Sequence, residues 1–221
     1  MLQPILILGT QAFTFHWVLK IQVDDYLLFL ASGLIPWIFI SQTIEISAGV
    51  LLNSAPLLRS FGTHPIIPVA VQNLDNFLNF ILSITITLCI LSFFYEFSFL
   101  QLILALLSTS SILIGVLAVG FLASMIQVFF RDFRFILSFL FQILYFLTPV
   151  FYPVEMIPAE YRNFLLFNPI LAWIQPLRDI LLKGQVSYET LAYSLSLSVI
   201  CWLIAWIFWK RKGNEIGRYL N

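Results

Sequence analysis

Residues 129–183 read FFRDFRFILSFLFQILYFLTPVFYPVEMIPAEYRNFLLFNPILAWIQPLRDILLK, and their reading decides the fold. The stretch opens on a charged patch, Arg131-Asp132-Phe133-Arg134. An uncharged run follows over residues 135–154, with Pro149 and Pro153 near its far end. That run has about the 20 residues needed to cross a hydrocarbon core. A second apolar segment, residues 163–176, is shorter and is broken by Pro169. A short apolar segment beside a spanning one suggests a re-entrant or interfacial element. Pro149, Pro153, Pro158 and Pro169 each interrupt helical hydrogen bonding. In hydrocarbon the freed carbonyls need protein or water partners. The economical solution is two short helices, roughly residues 158–167 and 169–182, that dip into the membrane and return.

The rest of the chain is equally apolar. Of 221 residues, 61% are hydrophobic and 10% are charged, whereas soluble domains carry roughly 25% charged residues. The net charge is zero, which offers no basic surface for nucleic acid. Cys89 and Cys201 lie in apolar runs and match no zinc or redox spacing. His64 has no companion His or carboxylate cluster, so no metal site is expected. No glycine-rich phosphate loop and no nucleophile–base set is present. The composition points to a single all-α membrane domain over residues 1–221.

Six spans are expected. The first covers residues 1–19 and is closed by Lys20, Asp24 and Asp25. It lacks the basic start and small-residue cleavage pattern of a signal peptide. The second covers residues 26–44, and its apolar pattern continues to residue 58. Pro36 could kink it if neighbours satisfy the freed carbonyl, and Trp37 sits beside that proline. Glu45 places a carboxylate inside or near the hydrocarbon. It is either satisfied locally near the headgroups, or it lines a route or pairs across subunits. Residues 53–68 read as a loop containing Arg59, His64, Pro65 and Pro68. The third span, residues 69–95, carries Asp75, whose carboxylate Asn73, Asn76 and Asn79 could satisfy. Residues 97–130 contain no charge. The fourth span is placed at 100–121, with 122–130 as a continuation, and Gly115 and Gly120 would permit close helix contact. The fifth covers residues 135–152 and the sixth residues 191–209. The proline-broken segment between them makes a re-entrant helical hairpin.

Lys210-Arg211-Lys212 closes the sixth span and is the clearest orientation mark. With that cluster in the cytoplasm, both termini lie there and the broken segment faces outside. Seven Lys/Arg then fall inside and four outside, a bias in the expected direction.

These runs, in this order, resemble the membrane subunit of ABC-2 type exporters, and more narrowly the permeases that export O-antigen, capsular polysaccharide or teichoic acid on lipid carriers. Gly33-Leu34-Ile35-Pro36-Trp37 resembles the family's Gly-x-x-Pro-Trp run. Asn53-Ser54-Ala55-Pro56-Leu57-Leu58 and the prolines at 65 and 68 look like the loop that follows it. Arg131-Asp132 matches the Arg-Asp pair before the fifth span. The strongest match is Leu147-Thr148-Pro149-Val150-Phe151-Tyr152-Pro153, then Ile157-Pro158, Asn168-Pro169 and Arg178. Two departures stand out. The chain starts almost at its first span, without the amphipathic cytoplasmic helix that members carry. Arg59-Ser60-Phe61-Gly62 stands where members are often more basic.

The resemblance implies a homodimer in the bacterial inner (plasma) membrane. Two cytoplasmic ABC ATPase subunits would bind ATP and Mg, while this chain would bind no cofactor and perform no chemistry. The implied substrate is a lipid-linked glycan; an exporter of drugs or small lipids is the alternative. Candidate residues for a substrate path or outer gate are Trp37, Glu45, Tyr152, Tyr161, Phe164, Trp173 and Arg178. Flat rings can stack on sugar faces or anchor at the interface. Arg178 and Lys183 could meet a lipid phosphate or form salt bridges with Asp179 or Glu160. Candidate ATPase contacts are Arg59, His64, Arg131, Asp132 and Arg134, although Arg131 and Asp132 could instead brace the fifth helix.

Overall fold

A computed structural model describes residues 2–14 and 25–220. Lys20 and Asp24, expected to close the first span, lie outside the described residues. Every described element is helical: α1 (Leu2–Ala12), α2 (Tyr26–Asn53), α3 (Ala55–Phe61), α4 (Ile66–Leu91), α5 (Phe99–Phe129), α6 (Phe133–Leu147), α7 (Ala159–Arg162), α8 (Pro169–Lys183) and α9 (Tyr188–Leu220). Short 3-10 turns, Val154–Met156 and Asn163–Phe167, flank α7.

The sequence explains where these helices start and stop. Nothing between residues 99 and 129 breaks a helix, so α5 runs through without the division expected near residue 121. Its first turn is capped by Ser98, whose hydroxyl accepts from the Gln101 amide at 3.1 Å. α2 passes through Pro36 unbroken. The loop expected after it contains α3, which begins at Ala55 with Pro56 in its first turn, where the missing N–H costs nothing. α9 continues past Lys210-Arg211-Lys212 for a further two turns and more.

Four helices, α2, α4, α5 and α9, are long and apolar enough to cross a membrane. A fifth crossing is counted if Ala159–Leu165 and Pro169–Lys183, bent by 96° at their break, form one span. Six separate spans are not what the helix lengths give. α6 has 15 residues, about 22 Å of rise against roughly 30 Å of hydrocarbon. The Thr148-Pro149 break ends it before the expected residue 152.

α2 is the centre of the bundle and packs against α1, α4, α5, α6 and α8, while α5 and α9 pack closely along each other. One apolar cluster fills the middle. A second joins Val50 and Leu51 of α2, Val69 of α4, Phe121, Met125 and Val128 of α5, and Ala205 and Ile216 of α9. This second cluster gathers the end of α2, the start of α4 and the end of α5. It therefore sets α3 and the turn before α6 at the same end of the molecule. α6 is lightly enclosed. It buries Leu137 and Phe141 and leaves Phe135, Phe139, Leu140, Ile143 and Phe146 exposed.

Candidate functional site

Two clefts flank α6. The first, of about 320 Å³, lies between α2 and α6. Trp37, Ser41 and Glu45 recur every fourth residue on α2. Ser138, Phe141, Gln142 and Tyr145 recur at three- and four-residue steps on α6. Helical periodicity puts each set on one face. The Trp37 ring meets Phe141 edge-on at 6.3 Å and Tyr145 at 5.6 Å. The Gln11 amide donates to the Tyr145 hydroxyl. Glu45 is half-buried and forms no hydrogen bond or ion pair among the described residues. Arg134, in the first turn of α6, is the cation whose field reaches it.

The second cleft, of about 510 Å³, is lined by Leu144, Leu147, Tyr152, Ile157, Tyr161, Phe164, Leu165, Asn168 and Pro169. Tyr161 and Phe164 are 56% and 69% exposed. Tyr152 is half-buried, and its hydroxyl donates to the Phe146 carbonyl at 2.9 Å. Arg162 holds this segment in shape by donating to the carbonyls of Ile157 and Glu155, each at 2.9 Å.

A frame of buried polar groups supports both clefts. Arg178, on α8, is only 4% exposed. Its guanidinium donates to the carbonyls of Pro149 at 2.7 Å and Val150 at 3.1 Å, and reaches Ser32 Oγ at 3.4 Å. Its carbon lies 4.3 Å from the centre of the Phe29 ring. A Cβ on Gly33 would collide with that guanidinium. Asn168 caps α8 by accepting from the amides of Ile170 and Leu171, and its own amide donates to Thr148 Oγ1 at 2.8 Å. Gly33, residues 148–150, Asn168 and Arg178 are thus far apart in sequence and joined in space.

No family model matches the chain. Individual proteins do. Over 191 residues it is 25% identical to the O-antigen export system permease protein RfbA of Klebsiella pneumoniae, covering 84% of this chain and 72% of that protein. The Myxococcus xanthus protein of the same name is 26% identical over 216 residues, 96% of this chain and 83% of its own length. The polysialic acid transport protein KpsM of Escherichia coli is 26% identical over 163 residues, 72% of this chain and 62% of the relative. This chain is a relative of the O-antigen export permeases.

In this permease relative, Trp37 and Glu45 share the first cleft, and Tyr152, Tyr161 and Phe164 share the second. Trp173 and Arg178 line neither. The Trp173 indole is 1% exposed, donates to Ser198 Oγ of α9 at 3.0 Å, and fills space that a Cβ on Gly115 would occupy. Lys183 pairs with Asp179 at 2.7 Å, and Asp179 also accepts from Thr190 and Gln175. Asn73 turns away from Asp75 and donates to Ser47 Oγ at 2.8 Å. Asn79 bonds the backbone carbonyl of Asp75, not its carboxylate.

At the other end of the bundle a third cleft, of about 460 Å³, lies between α2, α3 and α4, with Asn53, Leu57, Thr63, Pro68 and Gln72 among its walls. Arg59 and His64 are exposed beside it. The His64 ring rests 4.9 Å from Trp209 of α9, and its Nδ1 accepts from the Ile66 amide at 3.3 Å. Arg131, Asp132 and Arg134 are exposed. Their turn is held by Gln127, which accepts from the Arg134 amide at 2.8 Å and donates to the Arg131 carbonyl.

Sequence reading missed Ser138, Gln142 and Tyr145. Their signal was the helical spacing of polar and ring-bearing residues along a run otherwise read only for its lack of charge.

Proposed function

We propose that this chain is the ABC-2 type permease subunit of an ATP-driven exporter of lipid-linked polysaccharide. The observation that carries the reading is the pair of clefts beside α6. Both combine aromatic rings with polar groups, neutral except for Glu45 in the first, a lining that suits a chain of sugars, and the relatives named as O-antigen and polysialic acid transporters support polysaccharide as the substrate class. The chain acts as a homodimer in the bacterial inner (plasma) membrane with both termini cytoplasmic. The path runs from Glu45 and Trp37 towards Tyr152, Tyr161 and Phe164, which form the outer gate. The bent segment around α7 and α8 is a re-entrant hairpin opening to the outside, and α6 serves as the fifth of six crossings.

Movement is powered elsewhere. Two cytoplasmic ATPase subunits bind ATP and Mg, and this chain contributes no catalytic residue. Arg59, His64, Arg131, Asp132 and Arg134 make the ATPase contact, and the third cleft receives part of that partner. The gathering of α3 and the turn before α6 at one end of the bundle supports this contact.

The test is the double substitution Tyr161→Ala/Phe164→Ala. Both rings are exposed, so membrane expression and dimerisation are expected to persist while polymer export falls severalfold. Full export by the double variant would remove the gate. Lost assembly would make the rings anchors of the outer helices.

A further inference from the structure

We propose that Glu45 sets the charge preference of the path, admitting neutral glycan and excluding acidic glycan. The inference rests on the export reading and adds a charge preference that would set this chain apart from the relative named for polysialic acid, an acidic glycan.

Glu45 carries a carboxylate that no described residue satisfies. Glu45 lies eight residues before the end of α2, about 12 Å along the helix, which puts it near the edge of the hydrocarbon. An ionisable group at that depth is expected to face protein or a water-filled path and to have a partner. Glu45 faces an open cleft and, among the described residues, has neither a hydrogen bond nor an ion pair. The ligand is left to supply the partner.

The neighbours define what that ligand is. Ser41, Ser138 and Gln142 are neutral, and Trp37, Phe141 and Tyr145 present rings. An ionised carboxylate only accepts hydrogen bonds. A sugar hydroxyl donates to it while the ring C–H face lies on the aromatics. An acidic sugar instead brings a second negative charge against that carboxylate, between ring-bearing walls that screen less than bulk water does. Such a repulsive element is the usual basis of discrimination between similar ligands.

No other acidic group among the described residues lines the cleft. Glu45 is the one charged residue of α2, Arg134 is the one charged residue of α6, and α1 carries none over residues 2–12. Arg134 lies at the cleft's end, exposed in the first turn of α6. It partly offsets the Glu45 charge from outside the cleft and leaves the repulsion within it.

The test uses the chain in nanodiscs of phosphatidylcholine, with mannose oligomers as neutral probe and sialic acid oligomers of equal length as acidic probe. The wild type is expected to bind the neutral probe at least about tenfold more tightly. Glu45→Gln is expected to close that gap by about tenfold through gain of acidic binding, and Glu45→Asp to retain it. Arg134→Gln, which acts on the same field from an exposed position, is expected to widen it. Equal binding of both probes by the wild type, or an unchanged ratio in Glu45→Gln, would overturn the proposal and leave the export reading standing. Binding of neither probe by any form would overturn the glycan path itself, and the proposal with it.

Discussion

Arg178 shows why a buried cation can be structural without an ion pair. Removing a guanidinium from water is costly unless its donors and charge are matched. Here two carbonyls, a hydroxyl and the Phe29 ring do the matching. The carbonyls are the ones that the Thr148–Pro153 break frees from helical bonding; Pro153 has no N–H to offer Pro149. Asp179, the next residue, bonds Lys183, Thr190 and Gln175 instead. Arg178→Lys cannot hold both carbonyls in one planar fork, and each buried acceptor left unmet costs about 1–3 kcal/mol. Gly33→Ala drives the guanidinium from its seat, an overpacking worth roughly 1–3 kcal/mol. Both variants should lower the thermal unfolding midpoint in detergent. Because they damage one contact, the double variant should lose less than the sum. Strictly additive losses would mean that Gly33 and Arg178 act separately.

At the scale of elements, α6 and α8 divide the work. α6 is short and lightly packed and carries the walls of both clefts. α8 is almost wholly enclosed and fixes the far end of α6. Asn168 makes that link, capping α8 and bonding Thr148. Asn168→Ala removes both contacts and should cost about 2 kcal/mol, near the upper range for a lost cap. Thr148→Val spares the cap and should cost less. Thermal unfolding of the two variants in parallel checks the order. The breaks around these elements were legible because proline acts locally: Pro149, Pro153, Pro158 and Pro169 each mark a point where helical bonding fails. α3 was legible in principle from Ser54-Ala55-Pro56, a helix start that the surrounding prolines disguised as loop. The seating of Arg178 against Gly33 was not legible, since the pair is joined only by tertiary packing. Trp173 was read as an accessible ring for a similar reason. Nothing near it in sequence reveals that Gly115 and Ser198 enclose it.

For the whole molecule, composition was enough to read a helical membrane domain, but charge was a poor guide to helix ends. Lys210-Arg211-Lys212 marks where the chain leaves the apolar phase, and α9 simply continues, because charged residues do not end a helix. The same cluster still carries the orientation argument. A cysteine replacing Glu160 should react with an impermeant thiol reagent added from outside, and one replacing Asn214 should react only after the membrane is opened. The background comes from Cys89 and Cys201, so both are first replaced by serine. The reverse labelling pattern would invert the molecule and move the Tyr161 cleft to the cytoplasmic face.

The Arg178 seat also bears on biogenesis. A ribosome releases Phe29, Ser32 and Gly33 first, then Pro149 and Val150, and Arg178 only afterwards. The receptacle is therefore synthesised before its cation. Lys183 and Thr190, which engage the adjacent Asp179, emerge within a dozen residues. The N-to-C order of synthesis thus spares the nascent chain a prolonged stage with a lone guanidinium in lipid, and a circular permutation that delivered α8 ahead of α2 would lose that protection.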